Sequence, residues 1–190
     1  MLLTLQRPKK EIEIDLPPLD RAMRLAGFAF AQAASSIADG AGPMIPLGYV
    51  ERDAGLRNAE RIMMRFMHPS PEDIDLALSV SEGRSALALK LPQYDSTVLV
   101  YDGYVRRSVA PDKSDALILE INDVAFETPF KFIQNYQPFA SGGFKLLGSP
   151  TFLQDARPVD QSLEAELAAR FLDGAMSNSL IEKTWPAWNG

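Results

Sequence analysis

The sequence predicts an α+β domain: an antiparallel sheet of about five strands flanked by three helices, in the order α-β-β-α-β-β-β-(β)-α. Three observations predict it. Strand-like segments follow one another in runs instead of alternating singly with helices, which favours antiparallel pairing. The helical segments carry recognisable start and stop signals. The 190 residues, 46% of them hydrophobic and 23% charged, are typical of one globular domain with its own core.

Residues 1–18 are predicted to form an extended arm. Ile12, Ile14 and Leu16 recur at every second position, as in a strand, and two prolines end the pattern at position 18. Residues 19–190 are predicted to form a single domain, with an aromatic tail at 182–190.

The first helix is predicted over residues 21–37, with Asp20 as its N-cap and a stop at 39–40. Apolar residues lie nearly all round this helix, so it should be buried. Many of its residues are also small, which allows other elements to approach closely. The small residues are Ala22, Ala26, Gly27, Ala29, Ala33 and Ala34.

The next segments predict a hairpin followed by a second helix. Residues 43–51 read as a strand and 52–55 as a turn. Residues 56–67 fit either a helix or the returning strand, and the turn before them favours the strand. Ser70-Pro-Glu-Asp73 has the pattern of a capping box, which predicts a helix from there to about Lys90.

A second run of strands precedes the last helix. The strand-like segments are 97–105, 116–121, 130–137 and 144–147. A helix opened by Asp160 follows, with its apolar residues along one stripe. This order of elements resembles that of roadblock and profilin-like domains, in which helices flank an antiparallel sheet.

The segment 130–137 has two distinct faces, because side chains alternate along a strand. Phe130, Phe132, Gln134 and Tyr136 share the predicted core face, and Lys131, Ile133, Asn135 and Gln137 share the other. The second set predicts a polar surface that could hydrogen-bond a ligand or a partner.

The stretch PDKSDALILEIND, residues 111–123, is similar to the metal-binding core of PD-(D/E)xK nucleases, with Asn122 in the place of the lysine. Such a core holds one Mg²⁺ between an Asp and a Glu on neighbouring antiparallel strands. Glu120 is the candidate glutamate, and Asp102 or Asp112 its partner. A turn centred near residue 110 would place Asp102 opposite Ile118, on the same face as Glu120.

A second interpretation of the same strand requires no metal. Glu120 and Asn122 then face solvent, while Leu117, Leu119 and Ile121 face the core. This alternation is what an amphipathic strand needs in any case, and asparagine cannot supply the positive charge of the missing lysine.

Charge and composition argue against several classes of function. A formal net charge of -6 opposes binding to nucleic acid and to anionic membranes, so neither is expected as a partner. The chain has no cysteine and a single histidine, His68, so the usual zinc sites are not expected. The glycine-rich phosphate-binding motifs are also missing, and no cofactor is predicted.

The function predicted on these grounds is a non-catalytic, cytoplasmic protein-interaction domain, with a second copy of itself as one candidate partner. Its candidate contact residues are Trp185 and Trp188, because tryptophan is prominent among interface hot spots. One alternative is a metal-dependent hydrolase that uses Glu120 with Asp102 or Asp112. Another is a small-ligand-binding domain with a pocket between the helix at 21–37 and the sheet.

Overall fold

The computed structural model describes residues 17–40, 44–52, 60–69, 74–106, 113–138, 141 and 143–181. The helices are α1 (Pro18–Ala38), α2 (Leu76–Lys90) and α3 (Gln161–Met176). The strands are β1 (Leu47–Arg52), β2 (Glu60–Arg65), β3 (Ser96–Arg106), β4 (Lys113–Asp123), β5 (Phe130–Gln137), β6 (Lys145–Gln154) and β7 (Arg157–Pro158). None of the helices in these ranges is long and apolar enough to cross a membrane.

All seven strands belong to one antiparallel sheet, in the order β2-β1-β3-β4-β5-β6-β7. The predicted α+β class is confirmed, but the sheet has seven strands rather than about five. The difference arises after β5: β6 runs to Gln154, past the predicted end at residue 147, and a tight turn then adds β7. The ambiguous segment 56–67 supplies β2, which pairs with β1 as the hairpin interpretation predicted.

The inner face of the sheet, covered by α1 and α3, holds the main core. Phe30 of α1 and Phe171 of α3 both contact Phe132 of β5, and the Phe132 and Phe171 rings stack with centroids 4.2 Å apart. The small residues of α1 are fully buried, as predicted. This helix therefore lies within the core rather than at its surface.

The α1 and α3 backbones touch where they cross. A Cβ added to Gly27 would overlap the carbonyl oxygen of Phe171, and one added to Gly174 would overlap that of Arg24. No side chain fits in either place, because backbone atoms cannot move aside independently. The two glycines set the separation of the helices.

A buried ion pair fixes the first turn of α1 to the sheet. Arg21 donates to both carboxylate oxygens of Asp123, over 2.7 and 2.9 Å. The hydroxyl of Ser96 and the backbone N–H of Ala125 also donate to Asp123, over 2.6 and 2.9 Å. These hydrogen bonds compensate for taking the carboxylate out of water, which would otherwise be costly.

Two predicted helix starts were wrong. Helix α1 begins at Pro18 and has no side-chain cap, because its N-cap residue is Pro17, whose side chain has no hydrogen-bond acceptor. Asp20 instead pairs with Arg24 and Arg170. Helix α2 begins only at Leu76, where Asp75 is the N-cap, while the predicted capping box at 70–73 lies outside the described residues. The predicted cap of α3, Asp160, is confirmed.

Replacing Gly27 by alanine should lower the free energy of unfolding by about 3 kcal/mol, because the added methyl group forces the two backbones apart. Gly83→Ala in α2 is the matched control. Its new Cβ would meet only side-chain atoms of Leu99 and Phe66, which can shift. We expect this variant to stay within about 1 kcal/mol of wild type. Urea unfolding measures both, and equal effects would contradict the role given to the α1–α3 contact.

Candidate functional site

The outer face of the sheet, on which α2 packs, is only partly covered. Helix α2 lies mainly on β1 and β3, where Leu87 packs with Val50, Leu99 and Tyr101. Its main contacts with the sheet do not extend to β5 or β6. The space between α2 and the β6–β7 turn is a cleft of about 530 Å³.

This outer cleft has an apolar floor and charged walls. Its apolar lining includes Leu87, Leu99 and Leu153, and its charged lining includes Arg84, Glu120, Lys131 and Asp155. The remaining lining residues are Ala88, Thr97, Asn122, Pro129, Phe130 and Ala156. Lys131 points here because β5 alternates strictly between buried and half-buried residues, which confirms the two faces predicted for this strand.

Glu120 lies at the centre of a hydrogen-bonded network in the cleft. Arg84 donates to both of its carboxylate oxygens, over 2.6 and 2.8 Å, and the hydroxyl of Tyr101 donates over 2.8 Å. The ammonium of Lys131 lies 3.7 Å away. The negative charge of the Glu120 carboxylate is thus neutralised by two cations, Arg84 and Lys131. These partners compensate for the partial removal of the carboxylate from water.

The same contacts decide the charge state of Glu120. Burial by itself would raise the pKa of its carboxyl, but the hydrogen bonds from Arg84 and Tyr101 and the charges of Arg84 and Lys131 outweigh burial and lower that pKa. The pKa of the Tyr101 hydroxyl is raised, first by burial and then by the neighbouring Glu120. Glu120 is therefore ionised and Tyr101 neutral near neutral pH.

The predicted pairing of Asp102 with Glu120 is wrong by one position. Asp102 lies opposite Leu117, not Ile118, and Glu120 lies opposite Leu99. A one-residue change of register moves a side chain to the other face of a sheet. The two carboxylates therefore lie on opposite faces and cannot share one metal ion.

Asp102 has a different partner on the inner face. It accepts a hydrogen bond of 2.8 Å from the hydroxyl of Tyr136. Burial raises the pKa of the Asp102 carboxyl, the Tyr136 hydrogen bond opposes that rise, and the charge of Asp115 adds to it. Asp102 contributes to the packing of the sheet, at a distance from the outer cleft.

The other predicted site residues are divided between described and undescribed parts of the chain. Asn122 lines the cleft, and its side-chain oxygen accepts from the N–H of Asp123 over 2.9 Å. Asp112, Trp185 and Trp188 lie outside the described residues, so their predicted roles stay predictions. Within the described ranges, no group of three or more His, Asp or Glu residues is arranged to hold a metal ion.

The predicted ligand pocket between the first helix and the sheet is replaced by packed core. Phe30, Val98 and Leu119 there are at most 2% exposed. The cavity lies on the opposite face of the sheet. In the sequence, the alternation of β4 and β5 indicated Glu120, Asn122 and Lys131 on this face. Arg84 reaches the site from another element, which local sequence patterns do not indicate.

The turn between β6 and β7, at one rim of the cleft, has an unusual backbone. Asp155 and Ala156 both adopt positive φ angles, of 51° and 60°. A two-residue hairpin loop of this kind normally uses Asn-Gly or Asp-Gly, since a β-carbon is unfavourable at these angles. The turn keeps this conformation because the β6–β7 pairing requires it.

Replacing Glu120 by glutamine should remove a pH-dependent part of the stability. A lowered pKa in the folded state stabilises the protein above the ordinary glutamate pKa, and the stabilisation is lost as the pH falls through the folded value. We expect wild type to exceed Glu120→Gln by about 1–2 kcal/mol at pH 7, with the gap closing below about pH 4. Exposed Glu127→Gln is the control. Urea unfolding across this pH range tests the claim, and a gap independent of pH would contradict it.

No protein-family model, curated protein or solved structure matches this chain. The likeness to roadblock and profilin-like domains therefore stays a likeness in the order of elements. On the described surface of the chain, the outer cleft combines depth, an apolar lining and charged side chains.

Proposed function

We propose that the chain is a non-catalytic protein-interaction domain whose outer cleft binds an extended peptide segment bearing an apolar side chain next to a carboxylate. The single observation that carries the proposal is the incomplete cover of the outer face. Helix α2 shields β1 and β3 and leaves a cleft of about 530 Å³ beside it. Small-ligand sites commonly have volumes of about 300–1,000 Å³, and one or two peptide side chains occupy a similar space.

The apolar residues on the floor of the cleft favour a peptide with a hydrophobic anchor side chain. Leu87 and Leu99 are almost completely buried, and Leu153 is half-buried on the neighbouring strand β6. An aliphatic or aromatic side chain placed against these residues would remove apolar area from water, at about 25 cal/mol per Å². Anchors of this kind supply much of the affinity of peptide-binding sites.

The charged residues on the walls of the cleft favour a peptide with a carboxylate next to the anchor side chain. Lys131 is about 3.7 Å from Glu120, so its ammonium still has donors to offer, and 42% of its side chain is exposed. Arg84 binds Glu120 and Tyr101 through Nε and one Nη, and among the described residues its other Nη has no partner, so it can donate to a ligand. A carboxylate, which only accepts hydrogen bonds, fits these donors.

The state of Glu120 favours binding over catalysis. A catalytic carboxylate needs a pKa near the working pH or an open coordination site. Glu120 has a lowered pKa and donors on both of its oxygens, so neither condition is met. The proposal also places the chain in the cytoplasm, with which its lack of cysteine agrees.

The test is a selection of short random peptides displayed on phage against the wild-type protein. We expect enrichment of an aliphatic or aromatic residue beside Asp or Glu. Fluorescence polarisation then gives the affinity of an enriched peptide for each variant. Lys131→Ala should weaken binding roughly fivefold, the loss of one partly exposed ion pair, and Leu153→Asp should weaken it further.

Lys145→Ala is the matched control, because Lys145 is an exposed lysine at the opposite end of β6. Its affinity should equal that of wild type. Two results would contradict the proposal. The selected peptides could share no motif, or they could bind Lys131→Ala and Leu153→Asp as tightly as wild type.

A further inference from the structure

Strand β2 is an edge strand of the described sheet, and no described strand pairs with its outer side. The N–H of Phe66 bonds to the carbonyl of Pro46 over 3.0 Å, in line with the register that pairs Arg65 with Leu47. Since bonded residues alternate in an antiparallel ladder, the even-numbered residues of β2 bond to β1. The backbone groups of Arg61, Met63 and Arg65 therefore point to the open edge, where no other described strand pairs.

The two faces of this edge differ in character. Arg61, Met63 and Arg65 share the inner face. Arg61 already pairs with Glu51, whereas Arg65 makes no ion pair within the described part of the chain. Ile62 and Met64 share the outer face. Ile62 is 36% and Met63 45% exposed, and β2 contains no proline or lysine. Exposed edges are normally protected by proline, by charged side chains or by a covering segment, and of these β2 has the charged Arg61 and Arg65.

The N-terminal sequence contains a segment with the complementary pattern. Residues 11–16 read Glu-Ile-Glu-Ile-Asp-Leu, so that acidic side chains occupy the odd positions and aliphatic ones the even positions. Laid alongside β2 as a strand, this segment would present carboxylates on the arginine face and aliphatic side chains on the Ile62 face. Opposite charges and apolar pairs across neighbouring strands are both stabilising.

We propose that residues 11–16 of one copy of this chain pair with β2 of a second copy, and that reciprocal exchange of this segment forms a dimer. Antiparallel pairing, as in the rest of the sheet, places Asp15 opposite Arg61 and Glu11 opposite Arg65. The same register places Ile14 opposite Ile62 and Ile12 opposite Met64. In this register the odd-numbered residues of the segment form backbone hydrogen bonds with the odd-numbered residues of β2. Acidic side chains then lie on the arginine face, and aliphatic side chains lie on the Ile62 face.

The position of the first turn of α1 means that the β2 strand that pairs with residues 11–16 must belong to a second copy. The Arg21–Asp123 ion pair holds the first turn of α1 over the ends of β3 and β4. From there the open edge of β2 is three to four strand spacings away, or about 14–19 Å. Pro17 alone separates residue 16 from α1, and one residue spans at most about 3.6 Å. In the proposed register Asp15 pairs with Arg61, but the three residue steps from Pro18 back to position 15 span at most about 11 Å, so this pairing is out of reach within one chain.

The absence of cysteine allows a direct test by cross-linking. Ile14→Cys and Ile62→Cys chains are mixed and oxidised. In the proposed register these positions form a non-hydrogen-bonded pair with Cα atoms about 4.5 Å apart, within disulfide range. We expect a disulfide-linked dimer from the mixture and little from either variant alone. Ile14→Cys mixed with Leu89→Cys is the control, because Leu89 is 77% exposed on α2.

A charge exchange provides an independent readout. Arg65→Glu should raise the dissociation constant of the dimer roughly tenfold, by placing like charges opposite each other. Adding Glu11→Arg to the same chain should restore the wild-type dissociation constant. If Arg65→Glu acted only by misfolding the protein, this second substitution would not restore it. Sedimentation velocity measures both.

Three results would overturn the proposal: a monomer at all concentrations, an intramolecular disulfide in the Ile14→Cys/Ile62→Cys double variant, or equally efficient cross-linking in the Leu89→Cys control mixture. The inference does not depend on the outer cleft. Lys131→Ala and Leu153→Asp should leave the dimer intact, so either proposal can fail without the other.

Discussion

The backbone contact between α1 and α3 is the constraint on which the rest of the structure depends. Gly27 and Gly174 bring the two helices together, so that both lie on the inner face of the sheet. Their shared aromatic and aliphatic residues then form one continuous core with β3–β6. Of the described helices, only α2 lies on the outer face, and a helix of 15 residues does not cover seven strands.

This uneven distribution of helices accounts for where the polar residues of the sheet occur. On the inner face, Asp123 is held by Arg21 and Ser96, and Asp102 by Tyr136. On the outer face, Glu120 and Lys131 lie in an open cleft where their charges remain accessible. The inner face stabilises the fold, and the outer face is the one that we propose binds a partner.

Much of the fold follows from local sequence patterns. The small residues of α1 predicted its burial, and the alternation of β5 predicted which of its side chains enter the core, including the buried Gln134. The cap of α3 was also evident. These features depend on periodicities of two and 3.6 residues, which the sequence displays directly.

The parts that the sequence did not predict depend on contacts between distant residues. The face on which Asp102 lies changes with one residue of register, and the segment that connects β3 to β4, residues 107–112, lies outside the described residues. The partner of Glu120, Arg84, lies 36 positions away on a helix whose start was also misplaced. Such pairings follow from how α2 packs on β3, which no short motif records.

The claim that the outer face is the binding face is tested most directly by two-dimensional NMR of the labelled wild-type protein with small carboxylate-bearing aromatic and aliphatic fragments. The account predicts that shift changes concentrate on residues around Leu87, Leu99, Lys131 and Leu153, at the outer cleft. Shift changes centred elsewhere, or none at millimolar fragment concentrations, would contradict it.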